Sequence, residues 1–314
     1  MRAVPESGAW DFGDFPYGLE LLTMPPVGHA KATTYLAGKT SARCDADLTT
    51  CLLEDLLDGR RPAGLEAPQD DSDERLFWFR WITGHQVTFI IWHLMGRLLE
   101  EQPDEGIPDP DVLAMLEAYT EGYSAMLLYS GSCPRSVYET LIRPRMSLQH
   151  RGFSGTWAPD FTSVRGLFRG GRIAPWIRSA EAMGLGAALA ANKATHDGIA
   201  ARLVPGGESL LQQAMTETAV WPPSERTALL YDNFFMTLRA PVGHDAITAQ
   251  LLRRLKAVTW DVAVNGFRPL QGDDEATPET LRRADVVSCE LRFGDIVRQV
   301  GRVSADRLRE RLRR

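Results

Sequence analysis

The chain of 314 residues has only four cysteines, Cys44, Cys51, Cys133 and Cys289, and no CxxC pair. Zinc ribbons and thioredoxin-type redox centres are built on such pairs, so neither is expected, and the thiols read as reduced. No HExxH or HxD spacing links the six histidines, which removes the usual zinc-protease and mononuclear-iron signatures. CxxCH is absent, and no histidine has a cysteine four residues after it, so c-type haem attachment has no motif here. GxSxG and the P-loop are missing too. GLGAALA at residues 184–190 imitates a dinucleotide loop, but it lies in an Ala-rich helical stretch with no strand before it. No apolar run approaches a membrane span, and MRAVPESGAWDFGDFP has no apolar core of a secretory leader. The expectation is a cytoplasmic protein without a membrane partner. A net charge of −6 argues against nucleic acid as the main partner. The basic tail VSADRLRERLRR reads as a solvated helix or a subunit contact, which leaves a homo-oligomer possible.

With 44% hydrophobic and 24% charged residues, the composition is that of an ordinary globular protein able to build a core without staples. Residues 1–30 carry Pro5, Pro16, Pro25 and Pro26 among aromatic anchors and read as an irregular arm. Helical periodicity follows in LTTCLLEDLLDG, in the long run after DDSDE, from Pro110, and around Val137, Leu141 and Ile142. It returns in SAEAMGLGAALAANKATHDGIAARLV, SLLQQAMTETAV, SERTALLYDNFFMTLR and HDAITAQLLRRLKAVTWDVAV, and after Thr277–Pro278. VVSCELRF is the one strand candidate. Residues 146–173 are rich in Gly, Arg and aromatics and have no clean period, a pattern of a functional loop. The reading is an all-α fold: an arm over residues 1–30 and a single helical domain over residues 31–314.

His85 lies in LFWFRWITGHQVTFIIWHLMGRLLEE, which predicts a helix from about residue 74 to residue 101, apolar nearly all round and buried. An imidazole there needs a hydrogen-bond partner, a metal or a reactive ligand. Helical spacing puts Trp81 and Ile82 one turn before it, Thr88 and Phe89 one turn after, and Trp92 beyond, a face suited to a flat aromatic ligand.

LFWFRWITGHQ resembles the segment of tryptophan 2,3-dioxygenases whose His-Gln sets a histidine over the distal face of a haem. TTYLAGK upstream and GFSGTWAPDFTSVRGLF downstream are similar, in the same order, to that family's Tyr-Leu segment and its Ser-Gly-Phe-Gln loop. Together they span roughly residues 33–170. The Gly-Thr-Gly-Gly-Ser-Ser-Gly loop of the dioxygenases is missing. YSGSCPRSVYETLIRPRMSLQHRGFSGTW is closer to a different branch, the histidine-ligated haem L-tyrosine 3-hydroxylases of actinobacterial natural-product pathways. That resemblance implies a tryptophan 2,3-dioxygenase-like helical fold, haem b with its iron, L-tyrosine as substrate, hydrogen peroxide as oxidant and L-DOPA as product. An O2-using indole or tryptophan dioxygenase, or a helical protein that holds haem or an aromatic metabolite without turnover, remains the alternative.

The resemblance implies a distal, proton-handling His85, flanked by Trp81 and Phe89 at the cofactor. The iron ligand must come from another helix. His196 stands among small residues that let a helix approach a macrocycle, with Leu189, Ile199, Ala200 and Leu203 on its face. His244 is the alternative, at an expected helix start where the dipole disfavours it. Arg165 matches the dioxygenase arginine that binds the substrate carboxylate, and Ser154, Gly155 and Trp157 are expected to line the pocket.

Overall fold

The computed structural model describes residues 18–28, 30–31, 46–58, 72–102, 106–169, 175–204, 210, 221–267 and 277–313. Of the expected elements, the segment TTYLAGK and most of the helix SLLQQAMTETAV lie outside these, as do His29, Cys44 and most of the N-terminal arm.

The described residues are overwhelmingly helical. The order is β1 (Leu22–Met24), α1 (Ala46–Asp58), α2 (Ser72–Glu100), α3 (Pro110–Ser130), α4 (Arg135–Val137) running into a π turn (Tyr138–Ile142), and α5 (Arg143–Gln149). Two 3-10 turns (Gly155–Trp157 and Pro159–Ser163) and α6 (Arg165–Arg169) follow. The remainder is a turn at Pro175–Arg178, α7 (Met183–Leu203), α8 (Glu225–Phe234), β2 (Thr237–Arg239), α9 (His244–Asn265), a turn at Glu279–Arg282, α10 (Ala284–Leu291) and α11 (Phe293–Arg313). No described helix is long and apolar enough to cross a membrane.

Helix α2 is central because its sequence is apolar on every side. Leu76, Phe77, Phe79, Ile82, Val87, Ile90, Met95 and Leu98 are all buried, although they project in all directions from the axis. It packs on α3, and α3 in turn packs on α7. Gly84 permits the α2–α3 approach: a Cβ there would lie 3.1 Å from Ser130 Cβ. Gly131 does the same for α3 and α7, since a Cβ would come within 2.6 Å of Ile199 Cγ2.

Two buried ionic clusters lock the helices. Arg80 donates to Asp261 Oδ2 from Nε at 2.7 Å and to Oδ1 from Nη2 at 3.1 Å, and Tyr129 Oη donates to Oδ2 at 2.6 Å, joining α2, α3 and α9. Arg239 on β2 donates to both Asp160 and Asp232 through contacts of 2.7–3.0 Å, joining β2, the Pro159–Ser163 turn and α8. Two carboxylates on one guanidinium keep Arg239 charged against its burial.

Three expectations need correction. VVSCELRF is helical, not a strand: Val286, Cys289 and Phe293 are buried at spacings of three and four, the helical period. The helix expected through SERTALLYDNFFMTLR begins with a Ser224–Thr227 capping box but ends at Phe234. Its tail turns at Met236, whose φ is 51°, into β2. The arm, expected to be irregular, supplies β1, which pairs in parallel with β2 in the register Leu22↔Thr237, Thr23↔Leu238, Met24↔Arg239. Gln250 of α9 takes the other edge of β1, accepting from Thr23 N at 2.8 Å and donating to Thr23 O at 2.9 Å.

Candidate active site

Between α2 and α7 runs a cleft of three adjoining compartments. An apolar one of about 310 Å³ lies between Trp81, Tyr138 and Phe153 on one side and Ile199, Ala200 and Leu203 on the other. A central one of about 140 Å³ is bounded by Thr88, Trp92, Ser130 and Tyr231. A polar one of about 380 Å³ is bounded by Asn192, Lys193, Asp197 and Arg169. His196 lines all three, and His85 lines the apolar and central ones.

His85 is set by its helix. Its Nδ1 lies 2.6 Å from Trp81 O, one turn back, and a carbonyl only accepts, so the proton is on Nδ1 and Nε2 is the free acceptor. The ring stacks on Phe235 at 4.6 Å and 20°, and meets Trp81 at 4.6 Å and 43°. Enclosure by protein pushes its pKa down to about 4, against the opposing bond to Trp81. The imidazole is therefore neutral at pH 7, and its residual exposure is to the internal compartments.

His196 differs. Its side chain is 47% exposed, and its Nδ1 lies 3.4 Å from Asp197 Oδ1. Asp197 also accepts from Lys193 Nζ.

The cleft has unmet polar demand. Trp81 Nε1 and Trp92 Nε1 are buried with no acceptor among the described residues. Orphan donors of this kind cost about 1–3 kcal/mol each and call for an acceptor in the space the indoles line. Thr88 and Ser130 donate their hydroxyl protons to Gly84 O and Met126 O, one turn back, which leaves oxygen lone pairs toward the central compartment.

Among the described residues no group of three or more His, Cys, Asp or Glu side chains could hold a bare metal ion. Two imidazoles across an apolar slot suit a metal that brings its own equatorial ligands, as haem does. Cationic Arg169 and Lys193 at one end fit the carboxylates of such a group.

Of the residues expected from sequence, His85, Trp81 and His196 come together at the cleft, with Gly155, Ile199, Ala200 and Leu203 around the apolar compartment and Leu189 at the polar one. His244 opens α9 and lines none of the three compartments. Phe89 sits behind the wall, edge-on to Phe235 at 5.2 Å. Ser154 caps the Gly155–Trp157 turn, accepting from Thr156 N. Trp157 is buried and donates to Trp221 O. Neither residue faces the compartments. Arg165 is exposed and stands outside them, whereas Arg169, one turn on, lines two. Sequence reasoning missed Phe153, Tyr231 and Phe235. Their one signal was aromatic density in YDNFF and around Phe153, because the period in each segment is that of plain helix or of none.

Residues 42–184 match the family described as SfmD 3-methyl-L-tyrosine peroxygenase. This stretch, a little under half of the chain, is similar to a peroxygenase-type family. It carries His85 and the Gly155 loop and ends at the second residue of α7, before His196. No curated protein matches the chain.

Proposed function

We propose that the chain is a haem-dependent hydroxylase that uses hydrogen peroxide to convert L-tyrosine to L-DOPA. The observation that carries this reading is the histidine pair: one imidazole half-buried at the cleft wall, neutral and aimed by its helix, the other half-exposed across the same cleft. The peroxygenase-type similarity of residues 42–184 supports the oxidant and a tyrosine-like ring.

Haem b, when bound, supplies peroxide activation and oxygen transfer to the ring. His196 would hold the iron through Nε2, with Nδ1 turned to Asp197 in the carboxylate–histidine arrangement common to metal ligands. Ile199, Ala200 and Leu203 would cover the macrocycle. Arg169 and Lys193 put positive charge at one end of the cleft, where they would pair with carboxylates of cofactor or substrate, and Arg169 would take the role expected of Arg165.

His85 Nε2 receives the peroxide proton and returns it to the departing oxygen. Burial keeps this imidazole neutral at pH 7, so its Nε2 lone pair is available to take the proton. Once that proton has been returned, the freed lone pair accepts the phenolic O–H, and that contact directs the reaction to the neighbouring ring carbon by proximity. Trp92, Phe161 and Tyr231 exclude water around the ring.

The test is an assay of tyrosine and 3-methyl-L-tyrosine with peroxide, and of tryptophan with O2. A catechol from tyrosine, with tryptophan intact, is expected. Preference for the methylated ring would move the substrate while keeping the chemistry. N-formylkynurenine, with tyrosine untouched, would overturn the reading.

A further inference from the structure

The hydrogen bond to Trp81 O sets which edge of the His85 ring turns back along the helix, and packing of neighbouring rings holds it there. Its plane, and hence the direction of Nε2, is set by Trp81 on one side and Phe235 on the other. Phe235 is not on a helix. It follows the last residue of α8 and precedes Met236, whose φ of 51° lies in the left-handed region that non-glycine side chains rarely adopt.

Something must hold that junction, and the contacts identify it. Gln86 Nε2 donates to Phe235 O at 2.9 Å and to Glu20 O at 3.1 Å. Its Oε1 accepts from Arg254 Nε at 3.0 Å, and an arginine only donates, so the amide cannot flip. Arg254 is itself buried and spans to Gln250 O and Glu20 O. On the far side Leu22 N donates to Met236 O at 3.0 Å, so strand pairing pulls on the next peptide.

We propose that Gln86 is a positioning residue: oriented by Arg254, it clamps the strained Phe235–Met236 junction so that the Phe235 ring lies against His85 and fixes the direction of its Nε2. Gln86 follows His85 in sequence, so one helical turn carries both the acting group and the clamp for the ring that aligns it. The left-handed Met236 is the backbone cost of turning Phe235 inward while its chain continues into β2.

Gln86→Glu isolates this role. It keeps the shape and the partner of Arg254, but replaces the N–H donor shared by Phe235 O and Glu20 O with a carboxylate oxygen that repels both. The readout is the His85 ring-proton resonances of the purified protein, in the diamagnetic ferrous carbonyl form where haem is present. Phe235→Leu shows what losing the ring does to those shifts. Gln86→Glu is expected to move them toward the Phe235→Leu values and to broaden them. In turnover of tyrosine it is expected to lower kcat by about tenfold to a hundredfold with KM little changed. Met236→Val, which disfavours the left-handed backbone, should act in the same direction, and it decides the matter if Gln86→Glu does not fold. Met236→Gly, free to adopt this φ, should keep wild-type shifts. Wild-type His85 resonances in folded Gln86→Glu, or in Met236→Val where only that variant folds, would overturn the proposal. The kinetic arm rests on the proposed hydroxylase activity. The resonances do not, so an inactive wild-type protein would count against that activity and leave the positioning test standing.

Discussion

His85 is gripped on three sides, by the Trp81 carbonyl, the Trp81 indole and the Phe235 ring, whereas the described contact of His196 is with Asp197 at 3.4 Å and its side chain is half-exposed. The residues around each follow suit. Helix α2 surrounds His85 with large aromatics, whereas the α7 residues one turn from His196 are Asn192, Lys193, Ile199 and Ala200. A group that must meet a proton in one orientation gains from preorganisation, because no reorganisation is then needed at the moment of reaction. A group that takes up a large planar ligand needs room and an open coordination position instead. The asymmetry of the two walls is thus a division of labour between acting and holding.

The largest expected effect comes from the open wall. His196→Ala should abolish axial ligation, seen as loss of haem or of its histidine-ligated Soret and ligand-field bands, while His244→Ala should keep both. His244 lines none of the three compartments, so loss of the iron ligand in that variant would reverse the assignment.

The gripped wall should respond differently. His85→Phe should retain haem and lose about 10²–10⁴-fold in turnover, the usual contribution of a positioned acid–base group. Phe fills the imidazole's place between Trp81 and Phe235, so the fold should persist. Full haem with near wild-type turnover would reduce His85 to a core histidine.

That His85 was legible in the sequence and Phe235 was not has a physical reason. Helix α2 announces itself by composition: 29 residues without proline, apolar on every face, so the imidazole at its middle stands out. His196 could be weighed because small residues around a histidine on a helix imply close approach. The opposite wall depends on long-range pairing. Leu22 meets Thr237 across more than 200 residues, and three-residue strands leave almost no periodic trace. The turn at Met236 carries no glycine to mark it. Arg165 and Arg169 share one short helix, and which of them faces the cleft depends on how that helix docks against α7, which local sequence does not encode.

The scaffold behind the gripped wall gives the third expectation. Arg239→Met leaves Asp160 and Asp232 as two buried carboxylates without their cation, and breaking a buried pair in this way costs about 3–5 kcal/mol. Denaturant unfolding should show that loss, since Asp160 lies in the turn that carries Phe161 and Asp232 follows Tyr231. A change under about 1 kcal/mol would mean that water reaches the cluster and that this wall is looser than its contacts indicate.

The smallest effect is a pH dependence of stability that reports on the gripped histidine. The folded pKa of His85 is near 4, below the ordinary 6.5, so between those values the unfolded chain binds more protons than the folded one. Stability from this group is complete above about pH 6.5 and is lost as pH falls toward 4, by about 3 kcal/mol. His93, also depressed mainly by burial, adds in the same direction, while the carboxyls of Glu117, Asp232 and Glu290, raised mainly by burial, act oppositely. Those contributions are common to wild type and His85→Phe and cancel in their difference. Urea unfolding of the two proteins, prepared alike at pH 7 and pH 4, should therefore show wild type losing about 3 kcal/mol relative to the variant on acidification. Parallel curves for wild type and His85→Phe would place water around His85, and the contrast between a gripped and an open histidine would fail.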